Sequence, residues 1–298
     1  MAQTYDLVFV GNVAIGDIHP FEGPPHTFYG GPGLFCAMAA AWSDKRIALV
    51  TKLSEEDAHS LDAVRATGIA VYVSPSSDTT LNRIFHPTDN VDERQMVLIK
   101  TAGCFSILDL PEMDPTFVHL AGLNDQEFAV DFMRELKGLG FTLSVDMQTF
   151  VCQADPVSGE ISLADVPQKR EIARLSEKIK LDAVEAELLT GTSDPLHAAV
   201  QLEAWGCPEI MVTRADGILI RSRGKTYFES FSNTSAEGRT GRGDTAFGSY
   251  LARRLDHGVA DSLKFAAALT SIKLETIGPF TGTLDQVLSR VETQYQRL

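Results

Sequence analysis

Short apolar runs that stop at glycine or polar residues alternate with amphipathic stretches along most of the chain. That rhythm constrains the fold more than any other feature. Asp6-Leu7-Val8-Phe9-Val10 is an apolar run ending at Gly11, as a buried strand does. Leu34, Ala37, Met38 and Ala41 recur at helical spacing just after a glycine-rich turn. Ile47-Ala48-Leu49-Val50 reads as the next strand, with residues 117–120, 143–145 and 210–213 as later ones. Residues 125–139 and 196–205 read as helices between them; the second opens on Asp194-Pro195 and closes at Gly206. Such alternation predicts an α/β fold, a mainly parallel sheet with helices on both faces. Ligands in such folds gather at the carboxyl ends of the strands.

One stretch breaks the rhythm. Between about residues 71 and 106 the chain is rich in Thr, Val, Ile and turn residues, as in Thr79-Thr80-Leu81-Asn82-Arg83-Ile84-Phe85. Asp89-Asn90 makes a turn before Arg94-Gln95-Met96-Val97-Leu98-Ile99, so antiparallel β structure is expected as an insertion. No repeat, low-complexity tract or linker divides the rest, and residues 1–298 read as a single domain.

Charge narrows the partners. Forty acidic against 26 basic side chains give a formal net charge of −14. Nucleic-acid binders and proteins of anionic membrane surfaces draw their affinity from Lys and Arg, so neither is expected. No apolar run approaches the roughly 18 residues of a membrane helix. The start, Met1-Ala2-Gln3-Thr4-Tyr5-Asp6, has no basic segment and does not read as a signal peptide. Cys36, Cys104, Cys152 and Cys207 lie far apart, which predicts buried free thiols in a cytoplasmic protein. The seven histidines show no metal-binding spacing. His119 ends a strand and reads as a core residue, the alternative being one that faces the substrate, and Trp42 and Trp205 read as packing residues on helical faces.

Chemistry concentrates in Thr240-Gly241-Arg242-Gly243-Asp244-Thr245, which opens a helix whose Phe247, Leu251 and Leu255 share one face and which should end near Gly258. Unpaired amides at a helix N-terminus, backed by the helix dipole, bind anionic oxygens, and glycines let a phosphate come close. A carboxylate beside such a nest can orient a hydroxyl and accept its proton late in a loose phosphoryl transfer. The plainer reading is an Asp capping a helix, with glycines serving only the turn. Gly11-Asn12-Val13-Ala14-Ile15-Gly16 mimics a P-loop, but Asp17-Ile18 replaces its Lys and Ser/Thr. A Rossmann dehydrogenase would need a G-x-G-x-x-G at the first helix, and none is present.

The segment 240–247 resembles the C-terminal signature of the PfkB, or ribokinase-like, carbohydrate kinases. Gly30-Gly31-Pro32-Gly33-Leu34-Phe35-Cys36-Ala37 is similar to that family's N-terminal glycine turn and helix. Lys180-Leu181-Asp182-Ala183-Val184-Glu185 is similar to its Lys-Pro-Asn-x-x-Glu region, and Thr213-Arg214-Ala215-Asp216-Gly217 to its Thr-x-Gly-x-x-Gly loop, one residue short. Four matches in order are far more specific than one. The resemblance implies a three-layer α/β/α sandwich with a mainly parallel sheet, in which the insertion at 71–106 is a β-strand lid.

By that resemblance Asp244 is the catalytic base, and the amides of Gly241, Arg242 and Gly243 form the anion hole. Asp17, Gly30, Gly31, Phe35 and Asn12 would meet the substrate, although Asp17 sits one residue later than the usual spacing and also reads as a turn residue. Thr213, Arg214, Gly217, Thr240, Gly241 and Gly243 would bind ATP. Asp182 and Glu185 would hold Mg²⁺ through water; an acidic pair on a solvated helix face is the bland alternative. Asp146 ends a strand where the family has Asp-x-Asn, with Gln148 as the amide. Phe35, Arg242 and Lys273-Leu274-Glu275-Thr276-Ile277-Gly278-Pro279-Phe280 resemble an inositol-kinase-like branch. Gly238 stands where many relatives carry an Asp that helps hold a monovalent cation, with Glu237 adjacent. The expected function is an ATP- and Mg²⁺-dependent kinase acting on a hydroxyl of a neutral sugar, inositol-like polyol or nucleoside, as a monomer or a homodimer through the lid. The rival expectation is a catalytically degenerate relative that binds nucleotide or metabolite as a sensor.

Overall fold

The structure, a computed structural model, describes residues 3–89 and 94–295. Its centre is a nine-stranded sheet in the order Lys225–Ser230, Gly217–Ser222, Glu209–Thr213, Lys178–Asp182, Thr142–Asp146, Phe117–Leu120, Leu7–Val10, Ile47–Leu53 and Ala70–Pro75. Every pairing from Glu209–Thr213 to Ala70–Pro75 is parallel. The remaining two strands add an antiparallel hairpin at one edge.

Leu7–Val10 shows why the sequence reads as unbroken apolar runs. All four residues are buried, and successive side chains leave opposite faces of the sheet. Val8 and Val10 enter one core with Phe132, Ile172 and Ala199; Leu7 and Phe9 enter another with Leu34, Phe247 and Leu263. The first core is covered by helices Val130–Gly138, Lys169–Leu175 and Pro195–Ala204, and the second by Pro32–Ala40, Arg242–Arg254 and Val259–Leu274. Three α/β/α layers result, as the resemblance implied.

Two helix boundaries differ from the sequence reading. The helix expected from residue 125 begins at Val130. Asp125 and Glu127 instead accept the amides of Ala154 and Leu123, at 3.1 and 3.0 Å, which ties that segment into a turn. Gly258, expected to end the helix that Gly241-Arg242-Gly243-Asp244 opens, has φ −70° and is the N-cap of the next helix. Arg254 Nη1 donates to the His257 carbonyl at 2.9 Å, so the link needs no left-handed glycine.

The lid is a second, four-stranded sheet in the order His26–Gly30, Ala14–His19, Thr80–Phe85, Gln95–Lys100. It is drawn from two excursions of the chain, not one. Ala70–Pro75 pairs in parallel with Ile47–Leu53 at the edge of the main sheet, so the insertion expected at 71–106 starts too early and omits the first hairpin. The pairing between the excursions is parallel and the other two are antiparallel. Asn90 of the expected Asp89-Asn90 turn lies outside the described residues. Cys36, Cys152 and Cys207 are buried free thiols, whereas Cys104, expected to be buried, is exposed. Among the described residues no helix is long and apolar enough to cross a membrane.

Candidate active site

Two glycine turns meet under the lid. Gly31 has φ +98°, and a Cβ there would stand 2.5 Å from the Asn12 carbonyl. Only glycine fits that close crossing between the first strand's end and the helix Pro32–Ala40. The second turn is Gly241, at φ +78°, the N-cap of helix Arg242–Arg254. Phe35 wedges between them: a Cβ on Gly30 would lie 3.0 Å from its ring, and one on Gly241 2.5 Å.

No side chain caps the helix at Gly241. The Arg242 amide donates to the Arg239 carbonyl at 3.1 Å, which removes it from the expected anion hole. The amides of Gly243 and Asp244 have no acceptor among the described residues and remain for an anion. Asp244 lines the same cavity, so a carboxylate and free amides of one helical turn face one space. Arg239 and Arg242 also line it. Burial, and then the like charge of Arg239, pull the Arg242 guanidinium below its ordinary pKa. A bound anion would relieve both.

Beneath the turn lies a buried ion pair. Lys180 Nζ is 2.7 Å from Asp146 Oδ2, with side-chain exposures of 5% and 1%. Burial disfavours the Lys180 ammonium, but the carboxylates of Asp146, Asp244 and Glu185 outweigh it and hold Lys180 charged. A Cβ on Gly243 would stand 2.7 Å from Lys180 Nζ, so the second glycine makes room for this lysine. Asp182 and Glu185 form a reciprocal capping box at the start of helix Ala183–Thr190, each carboxylate accepting the other's amide, at 2.9 and 2.8 Å. Glu185 is buried, not a solvated face, and burial followed by the Asp182 charge pushes it up to about 8.

The cavity has a volume of about 170 Å³. Among the residues expected at the site it brings together Gly30, Gly31, Phe35, Asp182, Thr213, Thr240, Gly241, Arg242, Gly243 and Asp244. Others fall outside its lining. Asp17 pairs with Arg83 at 2.7 Å and His19 at 3.2 Å. Its strand reaches the lining through Ala14, Ile15 and Gly16, whereas the Asp17 carboxylate is drawn to the Arg83 guanidinium of the neighbouring strand. Asn12 is fully buried beneath the turn, its Nδ2 3.4 Å from Thr80 Oγ1. Arg214 turns to Asp216 at 3.0 Å, and Gly217 sits in the edge hairpin against the Glu229 carbonyl. Glu185 lies behind Asp182. His119 is buried against Ser144 Oγ at 3.1 Å and packs edge-on to Phe9 and Phe247, as expected of a core residue.

Arg94, Arg239 and Lys180 line the cavity without having been assigned roles from the sequence. Lys180 did carry a signal. It is a cation in the middle of a parallel strand, between the apolar Ile179 and Leu181 and on the same face as Asp182.

No protein-family model matches the chain. A cytidine kinase of Thermococcus kodakarensis is 26% identical over 256 residues, covering 83% of this chain and 87% of its own. Among solved structures, a pyrophosphate-dependent kinase in the ribokinase family, complexed with a pyrophosphate analog and myo-inositol, is similar with a TM-score of 0.85 and 28% identity, over 95% of this chain and 99% of its own. The chain is a kinase with a ribokinase-like fold. A ribokinase of Arabidopsis thaliana complexed with ribose and ATP, 19% identical with a TM-score of 0.73 over 98% of this chain and 99% of its own, shares the fold of this kinase.

Proposed function

We propose that this kinase transfers the terminal phosphoryl group of Mg²⁺-bound ATP to a hydroxyl of a small neutral polyol, with an inositol-type ring preferred over a sugar or nucleoside. The observation that carries the reading is the Asp244 carboxylate facing the same small cavity as the free amides of its own helical turn. Phe28, Phe35 and Met96 offer apolar walls to the C–H face of a polyol, while Asn82 and Gln148 offer amides to its hydroxyls. The relative complexed with myo-inositol supports that choice. The same relative is pyrophosphate-dependent, so pyrophosphate belongs beside ATP in any test of the donor.

In this reading the acceptor hydroxyl donates its hydrogen bond to Asp244. As its oxygen bonds to phosphorus the proton passes to the carboxylate, and the bond to the leaving phosphate oxygen breaks. The amides of Gly243 and Asp244, with Arg239 and Arg242, receive the charge on the transferred group and on the leaving phosphate. Lys180, fixed by Asp146, keeps a positive charge behind that turn. Asp182 lines the cavity and uses one oxygen as a helix cap, while Glu185 is locked behind it, and among the described residues no three metal-ligating side chains cluster. That donor set fits a Mg²⁺ carried chiefly by the phosphates and touched by Asp182 through water. The ion would neutralise the donor's charge. An acidic chain can thus bind a polyanion because its cations gather at one place. A sensor without catalysis would have no use for the carboxylate at 244. We place the kinase in the cytoplasm, in line with its four free cysteines.

The test is a panel of inositols, sugars and nucleosides with Mg²⁺ and either ATP or pyrophosphate, followed by phosphorus NMR of the products. A phosphomonoester of an inositol supports the reading. Phosphorylation of nucleosides alone overturns the acceptor, and turnover with pyrophosphate alone overturns the donor.

A further inference from the structure

The anion-binding turn is held from behind by a lysine that the reaction as described does not use. Lys273 lies in the last turn of helix Val259–Leu274, is fully buried, and donates from Nζ to the backbone carbonyls of both Gly238 and Thr240. Its ammonium also lies over the Phe35 ring, 5.2 Å from the centroid. That is the ring on which Gly241 rests. Two inward-turned carbonyls converging on one buried positive charge, next to a turn that must receive an anion, make a cation site of the kind that carbonyl oxygens offer to a bare monovalent ion. Here the chain fills it with its own side chain.

Gly238 shows why the site has this form. The Gly238 amide donates to the Leu274 carbonyl at 2.9 Å, and any side chain at 238 would collide with the carbonyls of Thr276 and Lys273. A carboxylate cannot stand there. Burial pulls Lys273 down to about 8, and the Asp244 carboxylate opposes that fall, so the ammonium is still charged at neutral pH.

We infer that Lys273 is a positioning residue, a tethered monovalent cation that fixes the carbonyls of Gly238 and Thr240 and so shapes the anion turn, which frees the protein from any need for potassium or ammonium ions. The inference rests on reading that turn as the kinase's anion site, but its test needs neither substrate nor donor. Thermal melting is followed for the wild-type chain and for Lys273→Ala in potassium, ammonium or tetramethylammonium chloride at constant ionic strength. The wild-type melting temperature should not depend on the cation. Lys273→Ala, with its carbonyls exposed to a vacated space, should melt lower in tetramethylammonium. Potassium or ammonium should then raise it saturably, by about 5 °C at a hundred times the dissociation constant. Lys273→Met, which fills the space, should not respond.

A wild-type protein stabilised by potassium overturns the inference, because the site would then take its ion from solution. A Lys273→Ala protein indifferent to cation identity, or unfolded in every salt, also overturns it and leaves the lysine a packing role. Failure of every acceptor in the turnover panel would count against the kinase reading while leaving these melting curves unchanged.

Discussion

The Phe35 ring is seated against the α-carbon of Gly241, so closely that a methyl group there would stand 2.5 Å from it. Because Gly241 is also left-handed, at φ +78°, an alanine meets two obstacles at once. Backbone strain alone costs ~1–2 kcal/mol, and the ring must move as well. Gly241→Ala should therefore keep its fold by circular dichroism and melt lower, while kcat falls roughly 10²-fold as the anion amides lose their aim. Near-normal kcat in a folded variant would show that the turn is not held by this contact.

The Lys180–Asp146 pair makes a separable prediction. Both side chains are almost wholly buried, so removing one partner strands a charge. Lys180→Met should lower stability by roughly 3–5 kcal/mol in urea titration. The double variant Lys180→Met/Asp146→Leu should recover only part of this, since the carboxylates of Asp244 and Glu185 also face the missing ammonium. Full recovery would mean that those two carboxylates do not depend on Lys180.

Much of this was legible in the chain because the elements it rests on are local. The run Leu7–Val10 and the Gly241-Arg242-Gly243-Asp244 turn each carry their own signal, in apolar continuity and in glycines that only a special backbone requires. The pairing of Asp17 is not legible in the same way, because its partner Arg83 lies far along the chain and its neighbours in sequence do not reveal it. The lid was misplaced for a similar reason. Its first hairpin lies some fifty residues before its second in the chain (residues 14–30 against 80–100), and their pairing is tertiary. Lys273 did leave a trace, as a cation four residues beyond the apolar run Phe265-Ala266-Ala267-Ala268-Leu269, between Ile272 and Leu274 of the same helix, but what a buried lysine donates to is decided by the opposing loop.

His119 predicts an acid sensitivity. Burial, and less so the Lys180 ammonium, lower its pKa from 6.5 to about 3. Between those values the unfolded chain binds a proton that the folded chain refuses, so stability falls as the pH drops from 6.5 toward 3, by up to about 1.4 kcal/mol per unit. His119→Gln, which can still meet Ser144, should show a smaller difference between its urea midpoints at neutral and acid pH than the wild type. An equal difference would place the titration elsewhere.

Asp182 separates capping from metal binding. Asparagine caps helices about as well as aspartate, so Asp182→Asn should be close to wild type in stability. It lacks the negative charge that would draw hydrated Mg²⁺, and the Mg²⁺ concentration for half-maximal activity should rise on the order of tenfold. An unchanged Mg²⁺ requirement would leave Asp182 a structural cap and nothing more.

The most direct measurement concerns Asp244, whose carboxylate shares one cavity with the free amides of its own helical turn. With the acceptor found by the turnover panel, the rate of phosphoryl transfer is measured for the wild type and for Asp244→Asn under saturating donor. Loss of the base predicts a fall in kcat on the order of 10³-fold, with a folded protein and nearly unchanged donor affinity. An Asp244→Asn protein that turned over at close to the wild-type rate would contradict the account at its centre.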